Sequence, residues 1–260
     1  MRVANSSSMT LENSLKAELN SPGWFVLESV YTPEETDLVL ASIYQAMEEN
    51  VGHLYKDRAG RLRRMEYVAF YNDIMKDLNK RFQDILYEAT DEQWSLFKDK
   101  VNFKPSGGEG FYAHYDGIFE FINPNGGRSN GWYEYTNCFI SSLLLLDDFT
   151  EINGAMELSD KHDEDWDTLY GRTKQNGTPD IREDLIDSYD WTKIIAPKGS
   201  VLIFDHRVPH MSRMNKSEST RRTIYYTYNP VKAGDFYEKY FSDKYNSKNT
   251  NSKSLSGELI

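Results

Sequence analysis

Apolar residues recur at helical spacing in the first third of the chain. The segment Thr32-Pro33-Glu34-Glu35 has the form of a capping box with proline at the first helical position, which predicts a helix ending near Glu49. A second helix is predicted from Asp73 to about Ala89, and a shorter one from Thr10 to Leu19. The residues from Trp24 to Val30 are typical of a strand. These helices are expected to pack against a sheet.

The pattern changes near residue 100, where short apolar stretches begin to alternate with turns. The segments that predict strands are 100–104, 112–119, 134–146, 155–158, 192–196, 200–205 and 222–229. Many short strands separated by turn residues are typical of a barrel or a sandwich. The sequence therefore predicts a mainly β fold with flanking helices, and its core is expected to span residues 99–230.

Two segments interrupt or follow this core. Residues 159–190 are acidic and irregular, and an insertion of this kind between core strands is often a functional loop or lid. Residues 242–260 are rich in Ser, Asn and Lys and are expected to form a polar, flexible tail, and residues 1–8 are expected to be loose. With no internal repeat and no linker visible, residues 1–241 are expected to form a single domain.

Composition and charge exclude several classes of partner. A length of 260 residues suffices for one large core, and a hydrophobic content of 39% argues against a disordered acidic chain. A net charge of −11 repels nucleic acid and anionic membrane surfaces, so neither is expected as a partner. Cys138 is the only cysteine, which excludes an intramolecular disulfide and fits a cytoplasmic location. The N-terminus lacks a signal-peptide pattern, and nothing indicates the oligomeric state.

Two histidines and a carboxylate carry the candidate chemistry. His114 and Asp116 are two positions apart, and on a strand such side chains point to the same face. His210 follows Asp116 by 94 residues. Two imidazoles and one carboxylate form the ligand set that holds non-haem Fe(II) and leaves positions open for other ligands. His206 lies four residues before His210 and is the rival for the second histidine position.

An arginine suited to binding an organic acid follows these three residues in the sequence. Arg221 lies 11 residues after His210, and its planar guanidinium suits a carboxylate. An organic acid held beside the metal by this arginine indicates a 2-oxoglutarate-dependent iron oxygenase. Arg222 is the alternative, since neighbours on a strand face opposite ways and only one of the two can face the metal.

The segments around these residues resemble a known family. They are Lys104-Pro105, His114-Tyr115-Asp116-Gly117, Asn153-Gly154, and the apolar stretch from Gly199 to Asp205 with its continuation through His210 and Ser212 to Arg221. The chain resembles the phytanoyl-CoA dioxygenase-like family of Fe(II)/2-oxoglutarate oxygenases over roughly residues 20 to 240.

The resemblance implies a double-stranded β-helix core of the jelly-roll or cupin type. It implies Fe(II) bound by His114, Asp116 and His210, with 2-oxoglutarate and O2 as cosubstrates. The family's spacing between the second histidine and the arginine favours His210 over His206 and Arg221 over Arg222. Ser212 matches the family's hydroxyl that helps to hold 2-oxoglutarate, and Lys104 matches a family segment in which its role, in cosubstrate or substrate binding, stays open. Related halogenases lack the carboxylate that Asp116 provides, so hydroxylation is favoured.

The predicted activity is hydroxylation of a small polar metabolite, such as an amino acid, a compatible solute or an aminophosphonate, with release of succinate and CO2. Alternatives are an oxygenase for a lipid, an acyl-CoA or a secondary-metabolite scaffold, a zinc-binding hydrolase, and a β-helix binding module without catalysis. The basic stretch from Lys56 to Arg64 is either a solvated face or a site for a substrate phosphonate or carboxylate.

Overall fold

The computed structural model describes residues 8–123 and 125–248. The α-helices of this part of the chain are α1 (Ser8–Asn20), α2 (Pro33–Glu48), α3 (Asp73–Thr90), α4 (Trp166–Gly171) and α5 (Tyr237–Lys248). The strands are β1 (Trp24–Leu27), β2 (His53–Lys56), β3 (Leu62–Glu66), β4 (Trp94–Lys104), β5 (Phe111–His114), β6 (Phe121–Ile122), β7 (Arg128–Ser129), β8 (Ile140–Leu145), β9 (Met156–Leu158), β10 (Thr192–Lys193), β11 (Val201–Asp205), β12 (His210–Ser212) and β13 (Arg221–Pro230). None of the helices described is long and apolar enough to cross a membrane.

Two antiparallel sheets form the core. The larger has the strand order β1-β11-β8-β13-β4-β3-β2, and the smaller has the order β10-β9-β12-β5. Leu143 and Phe204 of the larger sheet share one buried apolar cluster with Met156 and Leu158 of the smaller, so the sheets pack face to face. This arrangement is the predicted double-stranded β-helix.

The outer face of the larger sheet carries the main apolar core. Leu78 and Phe82 of α3 pack with Val101 of β4 and Ile224 of β13, so the helices cover this face. The predicted start of α2 is confirmed: Thr32 Oγ1 accepts the amide of Glu35, and the Glu35 carboxylate accepts the amide of Thr32.

Several predicted boundaries were wrong. The stretch expected as a strand from 134 contains β8 only from Ile140, because a short 3-10 turn at Gly131–Glu134 precedes it. The hairpin of β2 and β3 was not predicted, and β4 begins six residues before the predicted position 100.

The expectation of a flexible tail from residue 242 was wrong for residues 242–248, which belong to α5. This polar helix docks through Tyr240 and Phe241, and its Lys244 is fully buried against Glu66. Residues 1–7 and 249–260, where a loose N-terminus and the rest of the tail were expected, lie outside the described part.

Candidate metal centre

His114 and His210 face each other across two antiparallel strands. His114 ends β5 and His210 begins β12, and the two residues are direct register partners. Their ring centroids are 4.1 Å apart. The Nε2 atom of each histidine lies 4.0 Å from Asp116 Oδ1, and one ligand atom from each of the three residues lies within 4.8 Å of the others. The fold thus brings His210 to His114 and Asp116, although 94 residues separate Asp116 from His210 in the sequence.

Asp116 reaches the centre from a turn and not from the strand itself. Because β5 ends at His114, the expected alternation along a strand does not extend to Asp116. The turn depends on Gly117, whose φ is 78°. A Cβ atom on Gly117 would also approach the Trp132 side chain to 2.8 Å, so only glycine fits this position.

Hydrogen bonds behind the centre orient all three ligands. His114 Nδ1 lies 2.8 Å from the carbonyl of Tyr112, and His210 Nδ1 lies 3.0 Å from the carbonyl of Val208. An Nδ1–H that donates to a carbonyl leaves the Nε2 lone pair for a metal. Ser141 Oγ donates to Asp116 Oδ2 over 3.4 Å, and Thr227 supports the Ser141 hydroxyl at 3.1 Å.

The electrostatics of the centre suit a cation. Burial, together with the charge of His210, lowers the pKa of His114 to about 3, and burial also lowers the pKa of His210. Burial alone would raise the pKa of Asp116, but the neighbouring His210 and Lys100 outweigh it and bring that pKa to about 2. At neutral pH the three residues therefore present two neutral imidazoles and one carboxylate, the protonation states that a divalent metal requires.

His206 does not belong to this group. It is buried, its Nε2 atom lies 2.9 Å from the Tyr133 hydroxyl, and its Nδ1 atom lies 3.0 Å from the carbonyl of Phe139. Both ring nitrogens are thus engaged by other groups. The preference for His210 over His206 agrees with this geometry.

Arg221 and Arg222 lie on opposite faces of β13. Arg222 forms a two-pronged ion pair with Asp147, at 2.7 and 2.5 Å. Arg221 is buried on the inner face, with its guanidinium 4.3 Å from the ring centroid of Phe149. Its Nη1 donates to Thr223 over 3.1 Å, but its Nε–H has no partner in the described structure. A buried guanidinium with an unsatisfied donor is fitted to an anionic acceptor that the chain itself does not supply.

Lys104 and Ser212 adjoin Arg221. Lys104 is the direct register partner of Arg221 and is almost completely buried. Its ammonium donates to Ser212 Oγ at 2.6 Å and to the carbonyls of Arg213 at 2.7 Å and Gly154 at 3.3 Å. Burial, with the charge of Arg221, lowers the pKa of Lys104 to about 6. The three residues proposed for cosubstrate binding are therefore neighbours beside the metal ligands.

The inner face of the larger sheet carries further charged residues that sequence reasoning missed. Lys98, Lys100 and Asn102 of β4 lie opposite Thr227, Tyr225 and Thr223 of β13, and all of them are buried. Arg64, from the basic stretch, lies opposite Asn102 on β3 and is also buried. The signal was present in the alternation of polar residues at 98, 100, 102 and 104, which resembles a solvent-facing strand.

The insertion at residues 159–190 is attached to the strand that carries His114. The amide of Ile181 donates to the carbonyl of Ala113 at 2.7 Å, and the amide of Tyr115 donates to the carbonyl of Pro179 at 3.3 Å. Leu169 and Ile181 pack in one buried cluster with residues of β5. Some of its carboxylates pair with arginines, among them Glu164 with Arg172. Its function as a lid stays a prediction.

Comparison with known proteins identifies the family of this chain. The family model described as phytanoyl-CoA dioxygenase matches residues 19–223, which is most of the sequence. The chain belongs to this family. Membership agrees with the double-stranded β-helix and with the paired histidines and aspartate, and it confirms the predicted enzyme class, a 2-oxoglutarate-dependent dioxygenase that uses Fe(II) and O2.

Two curated proteins and one solved structure extend the comparison. A methylphosphonate hydroxylase of Gimesia maris is 28% identical over 90% of this chain and 87% of the relative. A 2-aminoethylphosphonate dioxygenase of an uncultured bacterium is 31% identical over 60% of this chain and 54% of the relative. The crystal structure of EctD from S. alaskensis with 2-oxoglutarate and 5-hydroxyectoine has a TM-score of 0.65 and 16% identity, covering 89% of this chain and 80% of EctD, and it shares the fold.

Proposed function

We propose that this protein hydroxylates a small organophosphonate with Fe(II), 2-oxoglutarate and O2, and releases succinate and CO2. Two features carry the proposal: the His114–Asp116–His210 group, and the guanidinium of Arg221, whose Nε–H has no partner among the described residues. The first supplies a metal site with open positions, and the second supplies the cation that a dicarboxylate needs. A zinc hydrolase would leave Arg221 without a function.

The metal site fits Fe(II) in its donor chemistry. Two Nε2 lone pairs and one carboxylate oxygen converge, and hydrogen bonds from Nδ1 to the carbonyls of Tyr112 and Val208 hold both rings in place. Bound iron and 2-oxoglutarate supply the oxidative chemistry that inserts one oxygen atom of O2 into a C–H bond. The protein's own residues bind, orient and desolvate the reactants.

The 2-oxoglutarate site is assigned to Arg221 and Ser212, with Lys104 behind them. Ser212 Oγ accepts from Lys104 at 2.6 Å and from the amide of Phe111 at 3.3 Å, which uses both of its lone pairs. Its own O–H is therefore left to donate, and a carboxylate held by Arg221 is the expected acceptor. Lys104 then orients the hydroxyl, because its Nζ already contacts Ser212 and the carbonyls of Arg213 and Gly154.

The substrate class rests on two supports. The relatives named above act, by their names, on methylphosphonate and 2-aminoethylphosphonate. The inner face of β4, with Lys98 and Lys100, gives this chain buried positive charge beside Asp116. A lipid or acyl-CoA substrate would leave that charge unused. We further infer that the core strands and the insertion at 159–190 work as one catalytic domain, with the insertion covering the substrate.

The test has two stages. Anaerobic addition of Fe(II) and 2-oxoglutarate should give a weak visible charge-transfer band, which neither a zinc hydrolase nor a binding module would produce. Succinate release is then screened with methylphosphonate, 2-aminoethylphosphonate, ectoine and an acyl-CoA, with mass spectrometry detecting the gain of one oxygen. Turnover with ectoine or the acyl-CoA but with neither phosphonate would refute the substrate class and leave the reaction class standing.

A further inference from the structure

Asp180 of the insertion lies directly opposite His114 at the edge of the smaller sheet. The two residues form an isolated antiparallel bridge. The hydrogen bonds between Pro179–Ile181 and β5 run from the neighbours of Asp180 to the neighbours of His114. This pattern defines a non-hydrogen-bonded pair, in which the two side chains lie on the same face of the sheet with their Cβ atoms about 4.5–5.5 Å apart.

The row of side chains that contains Asp180 also contains the two histidine ligands. His114 is the register partner of His210, and His210 is the register partner of Leu158. Leu158 belongs to the apolar cluster between the two sheets, so this row faces the interior of the core. Asp180 extends the row by one strand. Its carboxylate therefore lies on the side of the smaller sheet that carries the metal centre.

The carboxylate of Asp180 makes no hydrogen bond and no ion pair with the part of the chain that the structure describes. His114 cannot donate to it, because its Nδ1 atom faces the carbonyl of Tyr112 and its Nε2 atom faces the metal centre. Lys174, whose amide donates to the Asp180 carbonyl at 2.8 Å, directs its ammonium to Glu183 at 3.2 Å. A carboxylate that is shielded from water and lacks a donor is unfavourable, so the position is suited to a donor from outside the chain.

The metal centre is more open on the side of Asp180. The side chain of His114 is 16% exposed, whereas that of His210, one strand further away, is 5% exposed. Asp180 is itself 8% exposed. Its oxygens are not among the fully enclosed polar atoms that lack a partner, so the carboxylate shares in this exposure. Asp180 is not one of the three residues that converge as metal ligands, and it therefore borders the metal site at its open side.

We propose that Asp180 binds the ammonium group of the substrate, so that the protein selects an aminoalkylphosphonate over an alkylphosphonate without an amine. This inference rests on the proposed function. In 2-aminoethylphosphonate both carbon atoms lie within two bonds of the nitrogen. Whichever carbon is oxidised, the ammonium must therefore lie beside the metal, and a carboxylate one strand away from His114 is placed to receive it. The resulting ion pair compensates the charge of the shielded carboxylate.

The test compares two phosphonates that differ in one group. In propylphosphonate a methyl group replaces the ammonium of 2-aminoethylphosphonate, and the length of the chain is unchanged. Each compound is titrated by calorimetry into the anaerobic complex of the protein with Fe(II) and 2-oxoglutarate. The wild type should bind 2-aminoethylphosphonate about ten- to hundredfold more tightly, as expected for one charge-assisted contact. Affinities within about threefold of each other would overturn the inference before any variant is made.

Asp180→Asn removes the charge and keeps the shape of the side chain. It should bring the two affinities to within about threefold of each other, mainly by weakening the binding of 2-aminoethylphosphonate. Asp187→Asn is the matched control, because Asp187 is an exposed carboxylate of the same insertion, and it should keep the wild-type preference. A wild-type preference in Asp180→Asn would overturn the inference.

Two further measurements separate a substrate contact from a structural role of Asp180. Without substrate, Asp180→Asn should unfold at no lower temperature than the wild type, because the carboxylate has no partner among the described residues to lose. A clearly lower temperature would show that the carboxylate stabilises the fold and would overturn the inference. The charge-transfer band should persist, and its loss would assign Asp180 to metal binding and overturn the inference as well.

Failure of this inference can be told apart from failure of the proposed function. A wild type that oxidises methylphosphonate or propylphosphonate without preferring 2-aminoethylphosphonate removes only the role of Asp180. A wild type that neither binds nor oxidises any phosphonate removes the proposed substrate class and the selection of an amine with it.

Discussion

Arg221 and Arg222 are neighbours in the chain, yet their side chains lie on opposite faces of β13 and meet different surroundings. Arg222 is matched to Asp147 by two hydrogen bonds, at 2.7 and 2.5 Å. Arg221 is buried on the inner face, and its Nε–H finds no partner within residues 8–123 and 125–248. The surroundings of Arg222 fit a role in the fold, and those of Arg221 support its proposed role in binding 2-oxoglutarate.

Arg221→Ala is expected to raise the KM for 2-oxoglutarate by about ten- to hundredfold, since a buried carboxylate would lose a charge-assisted partner. Steady-state succinate release against 2-oxoglutarate concentration measures the effect. Arg222→Ala is the matched control: it should lower the free energy of unfolding and leave that KM nearly unchanged. Equal effects of both variants on the KM would contradict the assignment.

Replacing His114, Asp116 or His210 with Ala should abolish Fe(II)-dependent turnover and the charge-transfer band. Each residue offers a ligand atom, and no other described histidine or carboxylate joins the group. Anaerobic titration with Fe(II), followed spectroscopically, measures the loss. His206→Gln should keep the band while losing some stability, because His206 contacts Tyr133, Phe139 and Asp205 and is not part of the ligand group. A band lost in His206→Gln and kept in His210→Ala would reverse the ligand assignment.

Asp99 should make stability fall as the pH rises from about 4 to 7. Burial, opposed by hydrogen bonds from Tyr237 and the Val68 amide, raises the pKa of Asp99 from 3.8 to about 6. A folded-state pKa above the unfolded value stabilises the fold fully below the unfolded pKa, and this contribution is lost as the pH passes the folded pKa. The loss is on the order of 2–3 kcal/mol.

Urea unfolding of the wild type and Asp99→Asn between pH 4 and 7.5 checks this effect. The stability of the wild type relative to the variant should decline with pH and level off above the folded pKa. A difference that stays constant, or that grows with pH, would show that Asp99 is ionised throughout this range.

The tip of the insertion should affect the substrate more than the metal. Residues 175–178 form a turn in which Gln175 and Asn176 are exposed and Gln175 and Gly177 have positive φ, and the turn contributes no residue to the ligand group. Replacing them with a shorter Gly-Asn turn should lower kcat/KM for the substrate while leaving the charge-transfer band unchanged. Limited proteolysis within 159–190 should slow when methylphosphonate joins the Fe(II)/2-oxoglutarate complex. Unchanged cleavage with bound substrate would count against a lid.

The sequence predicted α1, α2 and α3 and the grouping of His114, Asp116 and His210, because these features leave local signals. The capping box at Thr32 marks the start of α2. His114 and Asp116 are close enough in sequence to be recognised as a pair. The buried polar residues on the inner face of the larger sheet were not predictable in the same way. Lys98 and Lys100 alternate with Asp99 and Val101 as residues on a solvated strand do, and periodicity does not distinguish bulk water from a polar enzyme interior.

The helix α5 shows a second limit of local patterns. Its sequence is polar, and its stability comes from packing of Tyr240 and Phe241 and from the buried pair of Lys244 with Glu66, 178 residues away in sequence. Such long-range contacts override weak local preference, so the helix emerges only when the whole chain is folded.

The hydrogen bonds between Pro179–Ile181 and β5 have a consequence for how the protein can be altered. In the smaller sheet β5 is the terminal strand, and this short segment occupies the row of amides and carbonyls that it would otherwise expose. Removing the whole insertion would leave an open sheet edge next to His114, free to pair with a second molecule. We expect a complete deletion to give self-associating protein rather than a simpler monomeric enzyme, so changes of specificity are best made at the tip, with Pro179–Ile181 kept in place.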